Sequence, residues 1–217
     1  IRIARPRPAF PLAALALAYA LFALTFRGRR ERFWQRMTMT GLTLGTLALA
    51  GGEGGRLRVR AWHVPLGLAV AAGLYAIFQV GDRMARRMVP GGSDQIREIY
   101  ELRRLRPSEE IAARLALVIG PAEELFWRGW LQRRLAARYG SISGALTAAT
   151  AYGGVHLVTR NTTLIGAASV AGVYWSALAA AGVPMAALIV SHMAWDIWIF
   201  LLAPTERIDE LAEASAP

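Results

Sequence analysis

Two adjacent glutamates and one arginine interrupt an apolar stretch in the segment GPAEELFWRGWL. Glu124 and Arg128 are four residues apart, so in a helix they share a face and can form an ion pair. Glu123 points about 100° away from Glu124 around the helix and has no basic residue at a helical spacing. A buried carboxylate of this kind can act as a general base near neutral pH. The pattern therefore predicts a structural role for Glu124 and a role as general base for Glu123.

Two further polar pairs lie inside apolar stretches nearer the C-terminus. The segment AYGGVHLV places Tyr152 one helical turn before His156, and SHMAWDIW places His192 one turn before Asp196. An ionisable group inside a membrane span costs about 2.5–3.5 kcal/mol on insertion scales. Because convergence would give each group a polar partner, we expect these residues to meet Glu123 at one site.

Each of these groups also has a simpler explanation when it is considered alone. Paired glutamates near a helix end are usually solvated, and a single histidine at the end of an apolar stretch is usually interfacial or part of the core. A histidine and an aspartate four residues apart are often a local hydrogen-bonded pair. His63, the third histidine, lies at the edge of an apolar stretch and is expected to be interfacial.

The composition predicts a membrane protein. The chain has 217 residues, of which 55% are hydrophobic and 18% charged, a balance too apolar for an ordinary soluble domain. All 25 basic residues are arginines, and most of them lie between the apolar stretches, as in loops at a membrane surface. We expect contact with the lipid bilayer and no binding of nucleic acid. The absence of cysteine excludes thiolate nucleophiles, disulfides and cysteine-ligated zinc.

The apolar stretches predict an all-α polytopic membrane helix bundle with six to eight transmembrane helices. The predicted spans cover about 9–26, 37–52, 62–81, 108–138, 141–159, 162–180 and 183–203. The first span is too long for a signal peptide, which favours a retained span over the alternative of a signal anchor. The composition of residues 82–107 predicts an interfacial or solvated connection with some helix around 94–105.

The fourth span carries the two glutamates and has recognisable ends. Ser108 is expected to cap its N-terminus, and Gly140 is expected to end it. Pro121 cannot donate a backbone hydrogen bond, so a bend is expected close to Glu123. The two glycines of GLTLG in the second span are expected to allow a close approach of another helix.

Three motifs, in order and within spans, resemble those of the CPBP intramembrane proteases. They are Glu123-Glu124-x-x-x-Arg128, Tyr152-x-x-x-His156 and His192-x-x-x-Asp196, similar to the family's EExxxR, FxxxH and HxxxN or HxxxD. This family includes the type II CAAX prenyl endopeptidases and the bacteriocin-immunity (Abi) proteins. The resemblance divides the chain into N-terminal spans with a polar connection (1–107), a CPBP-like catalytic helix core (108–204) and a polar tail (205–217).

The resemblance implies hydrolysis of a peptide bond within or at the membrane. By analogy, Glu123 and His156 would activate a water molecule, and His192 and Asp196 would assist at the oxyanion. Supporting roles fall to Glu124, Arg128 and Tyr152. The implied substrate is a membrane-anchored or lipid-modified peptide or protein, and the expected location is the bacterial cytoplasmic (inner) membrane.

Two residues depart from the family pattern. Tyr152 replaces the usual phenylalanine and adds a hydroxyl group that can hydrogen-bond within the site. Asp196 stands where the prenyl endopeptidases have asparagine, and an ionised aspartate cannot donate to an oxyanion. Asp196 would therefore have to be protonated, orient His192 or bind a metal.

The resemblance leaves the cofactor open. The family is often described as metalloproteases, and zinc could be held by His156, His192, Glu123 and Asp196. No HExxH motif is present, and the resemblance better supports a metal-free mechanism in which a glutamate activates water. Two other functions stay open: a non-proteolytic immunity or assembly protein on the same scaffold, and a small proton-coupled transporter using the buried carboxylates.

Overall fold

Helices are the regular elements of residues 9–204, the part of the chain that a computed structural model describes, and this part contains no strand. Its eight helices are α1 (Ala9–Arg27), α2 (Phe33–Ala50), α3 (His63–Met88), α4 (Gly92–Tyr100), α5 (residues 108–139), α6 (Ser141–Val155), α7 (Thr162–Ala180) and α8 (Met185–Leu202). The predicted all-α helix bundle is confirmed. The predicted polar tail lies outside the described residues.

Three helices are long and apolar enough to cross a membrane by length and composition, namely α3, α7 and α8. Only 22%, 28% and 33% of their most apolar windows are buried inside the protein. The remaining apolar side chains face outward, where lipid would solvate them. The number of spans, six to eight, stays a prediction.

Helix α5 is continuous but irregular around the two glutamates. The segments Leu115–Ile119 and Leu125–Gln132 are π-helical, and they flank the α-helical segment Gly120–Glu124. Pro121 lies in the first turn of that middle segment, so its missing N–H falls where the helix is already widened. π-Helical turns often occur at functional sites, because they redirect the side chains that follow them.

The two ends of α5 were predicted with different success. Gly140 follows the last helical residue with φ 88°, a backbone geometry that favours glycine, as predicted. The prediction that Ser108 caps the N-terminus is wrong. Pro107 is the capping residue, with ψ 144°, and Ser108 is already the first helical residue with no capping hydrogen bond from its side chain.

Helix α2 packs closely against the segment of α5 that carries the glutamates. A Cβ atom on Gly45 would lie 3.0 Å from the Cβ of Ala122, the residue before Glu123. The predicted close approach at GLTLG is therefore present. Around this contact lies the larger hydrophobic core, which includes Phe22, Leu44, Phe126 and Trp127, all fully buried or nearly so. This core holds the polar segment of α5 rigidly in place.

Helix α4 packs against α3 and α7 and is fixed from two sides. Gln95 Oε1 accepts hydrogen bonds from Thr162 Oγ1 at 2.9 Å and from the Thr163 N–H at 2.8 Å, at the start of α7. On the other side, Arg30 donates to the carbonyl of Glu98 at 3.0 Å. The inner face of α4 carries Ile96, which is buried.

Candidate active site

Glu124 is the buried hub of a charged network between α5 and α8. Its Oε1 accepts a hydrogen bond from Arg128 Nη1 at 2.9 Å and lies 2.8 Å from His192 Nδ1. The residue has no exposed surface, and its Oε2 has no hydrogen-bond partner among the described residues. The predicted Glu124–Arg128 pair is therefore present, and His192 joins it from another helix.

Aromatic rings enclose the positive charge of Arg128. Its guanidinium lies over the ring of Tyr152 at 4.6 Å and over that of Trp175 at 5.2 Å. Trp175 also stacks on His192 with ring centroids 4.1 Å apart and donates its indole N–H to Ser191 Oγ at 3.0 Å. Cation–π contacts of desolvated groups contribute about 2 kcal/mol. These rings therefore fix both Arg128 and His192.

Glu123 has different surroundings from those of Glu124. It is 5% exposed, and its Oε2 accepts a hydrogen bond from the Tyr152 hydroxyl group at 2.9 Å. Tyr152 comes from α6, so the bond joins two helices. The hydroxyl of Tyr152, which departs from the family pattern, thus holds one oxygen of the Glu123 carboxylate.

His156 is connected to Glu123 through the same tyrosine. Its Nδ1 lies 2.8 Å from the carbonyl oxygen of Tyr152. Because a carbonyl can only accept, Nδ1 carries the proton, and Nε2 is the acceptor nitrogen of the neutral ring. The ring packs edge-on against Phe22 at 5.1 Å and is 6% exposed. A neutral, oriented imidazole can accept a proton or a hydrogen bond through Nε2.

His192 lies between two carboxylates. Its Nδ1 is bonded to Glu124, and its Nε2 is 3.7 Å from Asp196 Oδ2. The second distance is longer than a hydrogen bond but within the range of an ion pair. The side chain of Asp196 is 13% exposed. His192 is thus oriented from both sides, with Nε2 on the side of Asp196.

A cavity of about 630 Å³ brings these side chains to one surface. Its polar lining includes Glu123, Tyr152, His156, His192 and Asp196, whereas Glu124 and Arg128 lie behind the wall. The rest is mainly apolar, with contributions from α1, α2, α3, α4 and α7, including Phe26, Met37, Phe78, Ile96 and Leu164. A polar group at one part of an apolar cavity suits a ligand that is largely apolar but has a polar reactive bond.

A family model described as type II CAAX prenyl endopeptidase Rce1-like matches residues 110–198. Over that segment the chain is similar to the Rce1-like family. The segment runs from the first turn of α5 into α8 and contains all three motifs. No curated protein and no solved structure matches the chain. The Rce1-like family is a family of CAAX-type endopeptidases, and together with the three long apolar helices it indicates an integral membrane enzyme.

The donors of this Rce1-like site do not form a metal-binding cluster. Among residues 9–204, no three or more histidine, aspartate or glutamate side chains are arranged to hold a metal ion. His156 Nδ1 lies against a backbone carbonyl and His192 Nδ1 against Glu124, contacts of the kind that orient a histidine whose Nε2 binds a metal. A tetrahedral zinc site needs three or four converging ligands. Each histidine could offer Nε2, but among the described residues Glu123 and Asp196 are not placed with them as a complete set of zinc ligands.

Two contacts of the Rce1-like site could not be found by sequence reasoning. One is the bond between His192 and Glu124, since only Glu123 was expected to need partners from other helices. The other is Trp175, one of seven tryptophans, which lies in an apolar span without any motif around it. Neither contact can be predicted from the spacing of residues along the chain. The third histidine, His63, begins α3 and is 3% exposed, with its ring against that of Trp62; its interfacial position stays a prediction.

Proposed function

We propose that the chain is an intramembrane endopeptidase that hydrolyses a peptide bond of a membrane-associated substrate with a water molecule activated by Glu123 and His156. One observation carries the proposal: two adjacent glutamates of α5 have separate surroundings. Glu124 is neutralised by Arg128 and His192 behind the cavity wall. Glu123 lines the cavity and receives a single hydrogen bond from Tyr152.

In the proposed reaction, Glu123 takes a proton from water while His156 Nε2 accepts a hydrogen bond that orients the same water. The water oxygen then forms a bond to the carbonyl carbon of the substrate, giving a tetrahedral oxyanion. As the bond from carbon to nitrogen breaks, the proton held by Glu123 passes to the leaving nitrogen. A carboxyl group that acts first as a base and then as an acid balances the reaction.

His192 is assigned to the oxyanion. When both ring nitrogens carry protons, Nδ1–H is donated to Glu124, and Nε2–H is available on the cavity side. A donor fixed in a water-poor site stabilises the charge that develops in the transition state. Asp196, 3.7 Å from Nε2, is assigned to orienting His192, because an ionised aspartate cannot itself donate.

The proposed substrate is a membrane-anchored or lipid-modified peptide or protein, and the proposed location is the bacterial cytoplasmic membrane. The mainly apolar lining of the cavity supports such a substrate. The test is comparative membrane proteomics of cells that produce the wild type or Glu123→Gln. A precursor that accumulates uncleaved only with the variant is the expected result. Unchanged membrane peptides in both strains would count against proteolysis and leave an immunity or assembly role.

The proposed mechanism needs no metal. Purified wild-type protein is expected to contain much less than one equivalent of zinc by elemental analysis, and chelation is expected to leave cleavage unchanged. The reason is that the four candidate ligands line the same cavity but are not placed as one set around a metal position. Stoichiometric zinc that disappears together with activity in His156→Ala would overturn this assignment.

Replacing Tyr152 with phenylalanine is expected to lower kcat about 10- to 150-fold and to leave KM unchanged, because a hydrogen bond to a charged group contributes about 1.5–3 kcal/mol. The variant removes only the hydroxyl group that holds Glu123, and it keeps the ring beneath Arg128. Steady-state kinetics with the cleaved peptide measures the effect.

The matched control for this change is Tyr174→Phe. The Tyr174 hydroxyl donates to the carbonyl of Val70 at 2.9 Å, and the residue does not line the cavity. Kinetics of the control should equal those of the wild type. Equal losses in the two variants would show a general effect of packing rather than positioning of Glu123.

A further inference from the structure

A second cluster of charges surrounds Glu53, in the loop after α2. Glu53 is 4% exposed, and three guanidinium groups lie around its carboxylate: Arg56 Nη1 at 3.6 Å, Arg133 Nη1 at 3.7 Å and Arg134 Nη1 at 3.9 Å. None of these distances is a hydrogen bond, and Glu53 Oε1 has no hydrogen-bond partner among the described residues. One carboxylate therefore faces three positive charges, which leaves a local surplus of positive charge.

The three arginines of this cluster differ in exposure. The side chain of Arg134 is 22% exposed, lies over the ring of Trp130 at 4.3 Å and donates to the carbonyl of Gly51 at 3.4 Å. It therefore pins the loop to the end of α5. The side chains of Arg56 and Arg133 are 56% and 51% exposed. Their donor groups are therefore accessible to a ligand outside the protein.

The cluster lies at the level where several helices end. Helix α2 ends just before it, α3 begins just after it, and α5 ends beside it. Residues 51–62 and 133–140 hold six arginines and one glutamate. Trp62 and Tyr139 in the same segments are 48% and 54% exposed, and such aromatic residues are typical of the boundary between membrane and water.

An apolar surface continues from this loop along α2. Leu49 packs against Gly54: a Cβ atom built on Gly54 would lie 3.0 Å from Leu49 Cδ2. The side chain of Leu49 is 52% exposed. A ligand that contacts Arg56 with an anionic group could thus place an apolar tail against Leu49. A soluble anion would use the arginines and leave this surface uncovered.

We propose that Arg56 and Arg133 bind the phosphate of an anionic phospholipid headgroup, with Glu53 and Arg134 holding the loop against α5. A phosphate offers several acceptor oxygens to guanidinium donors and supplies the missing negative charge. A zwitterionic headgroup brings its own cation towards the arginines and is bound less tightly. None of the four residues lines the cavity, so this site is independent of the proposed peptidase activity.

The test titrates purified protein with phosphatidylglycerol or phosphatidylcholine in detergent and counts bound lipids by native mass spectrometry. The wild type is expected to bind phosphatidylglycerol more tightly. The double variant Arg56→Gln/Arg133→Gln is expected to have an apparent Kd for phosphatidylglycerol about 30-fold higher. This value follows because each arginine near an anionic surface contributes about 1 kcal/mol. Thermal unfolding of the wild type and of the double variant is the check that both proteins are folded.

The matched control is Arg32→Gln/Arg97→Gln, which removes the same charge from two exposed arginines outside the Glu53 cluster, one just before α2 and one on α4. This control should bind phosphatidylglycerol like the wild type. An equal loss of binding in both double variants would show that the net charge of the protein, and not these two arginines, determines binding, and would contradict the proposed site. The assignment would also be overturned by no loss in either variant, or by complete displacement of the lipid with inorganic phosphate at matched ionic strength.

Discussion

Glu123→Gln is expected to lower kcat/KM for peptide cleavage by about 10²–10⁴-fold, the usual contribution of a positioned general base. Glutamine has the same shape, and its amide oxygen can still accept the hydrogen bond from Tyr152. It cannot accept a proton from water. The fold should be unaffected, because the hydrogen bond from Tyr152 is kept and a neutral amide is less costly to bury than a carboxylate.

Glu109→Gln is the matched control for this prediction. Glu109 lies in the first turn of the same helix, α5, but its side chain is exposed. The same chemical change at this position should leave cleavage and thermal unfolding at wild-type values. Cleavage at the wild-type rate by folded Glu123→Gln would remove Glu123 from the reaction, and so would an equal loss in the control.

The helices were largely predictable because apolar stretches alternate with glycine, proline and arginine-rich connections. The differences have local physical causes. Helix α2 begins at Phe33 rather than near residue 37, because Phe33 and Trp34 are buried in the core although polar residues follow them. Helix α3 continues to Met88, beyond the apolar stretch, because Asp82 and Arg86 pair at 3.0 Å on one face and stabilise a charged turn.

The site was predictable only where a contact lies within one helix. Spacing along the chain correctly predicted the ion pair of Glu124 with Arg128 and placed His192 and Asp196 on one face. Spacing cannot predict which helices face each other, so the bond from His192 to Glu124 was missed. The π-helical turns of α5 add to this limit, because a regular helical period does not describe the directions of its side chains.

Arg128→Met is expected to reduce the free energy of unfolding by about 3–5 kcal/mol, the usual cost of removing one partner of a buried ion pair. Arg128 is 1% exposed and Glu124 is fully buried, so water cannot replace the lost charge. Methionine keeps most of the apolar length that packs between Tyr152 and Trp175. For a chain of this size, the loss corresponds to a fall in Tm of roughly 10 °C, measurable by thermal unfolding in detergent.

The double variant Glu124→Gln/Arg128→Met distinguishes the contribution of the ion pair to stability from the contribution of Glu124 to catalysis. With both charges removed, most of the lost stability should return, because replacing a complete buried ion pair by neutral groups is often nearly neutral. Cleavage should stay low, since His192 Nδ1 would then face an amide instead of a carboxylate and lose its charge-assisted bond. A single variant as stable as the wild type would contradict the role of the pair. Recovery of full activity in the double variant would show that His192 needs no negative partner.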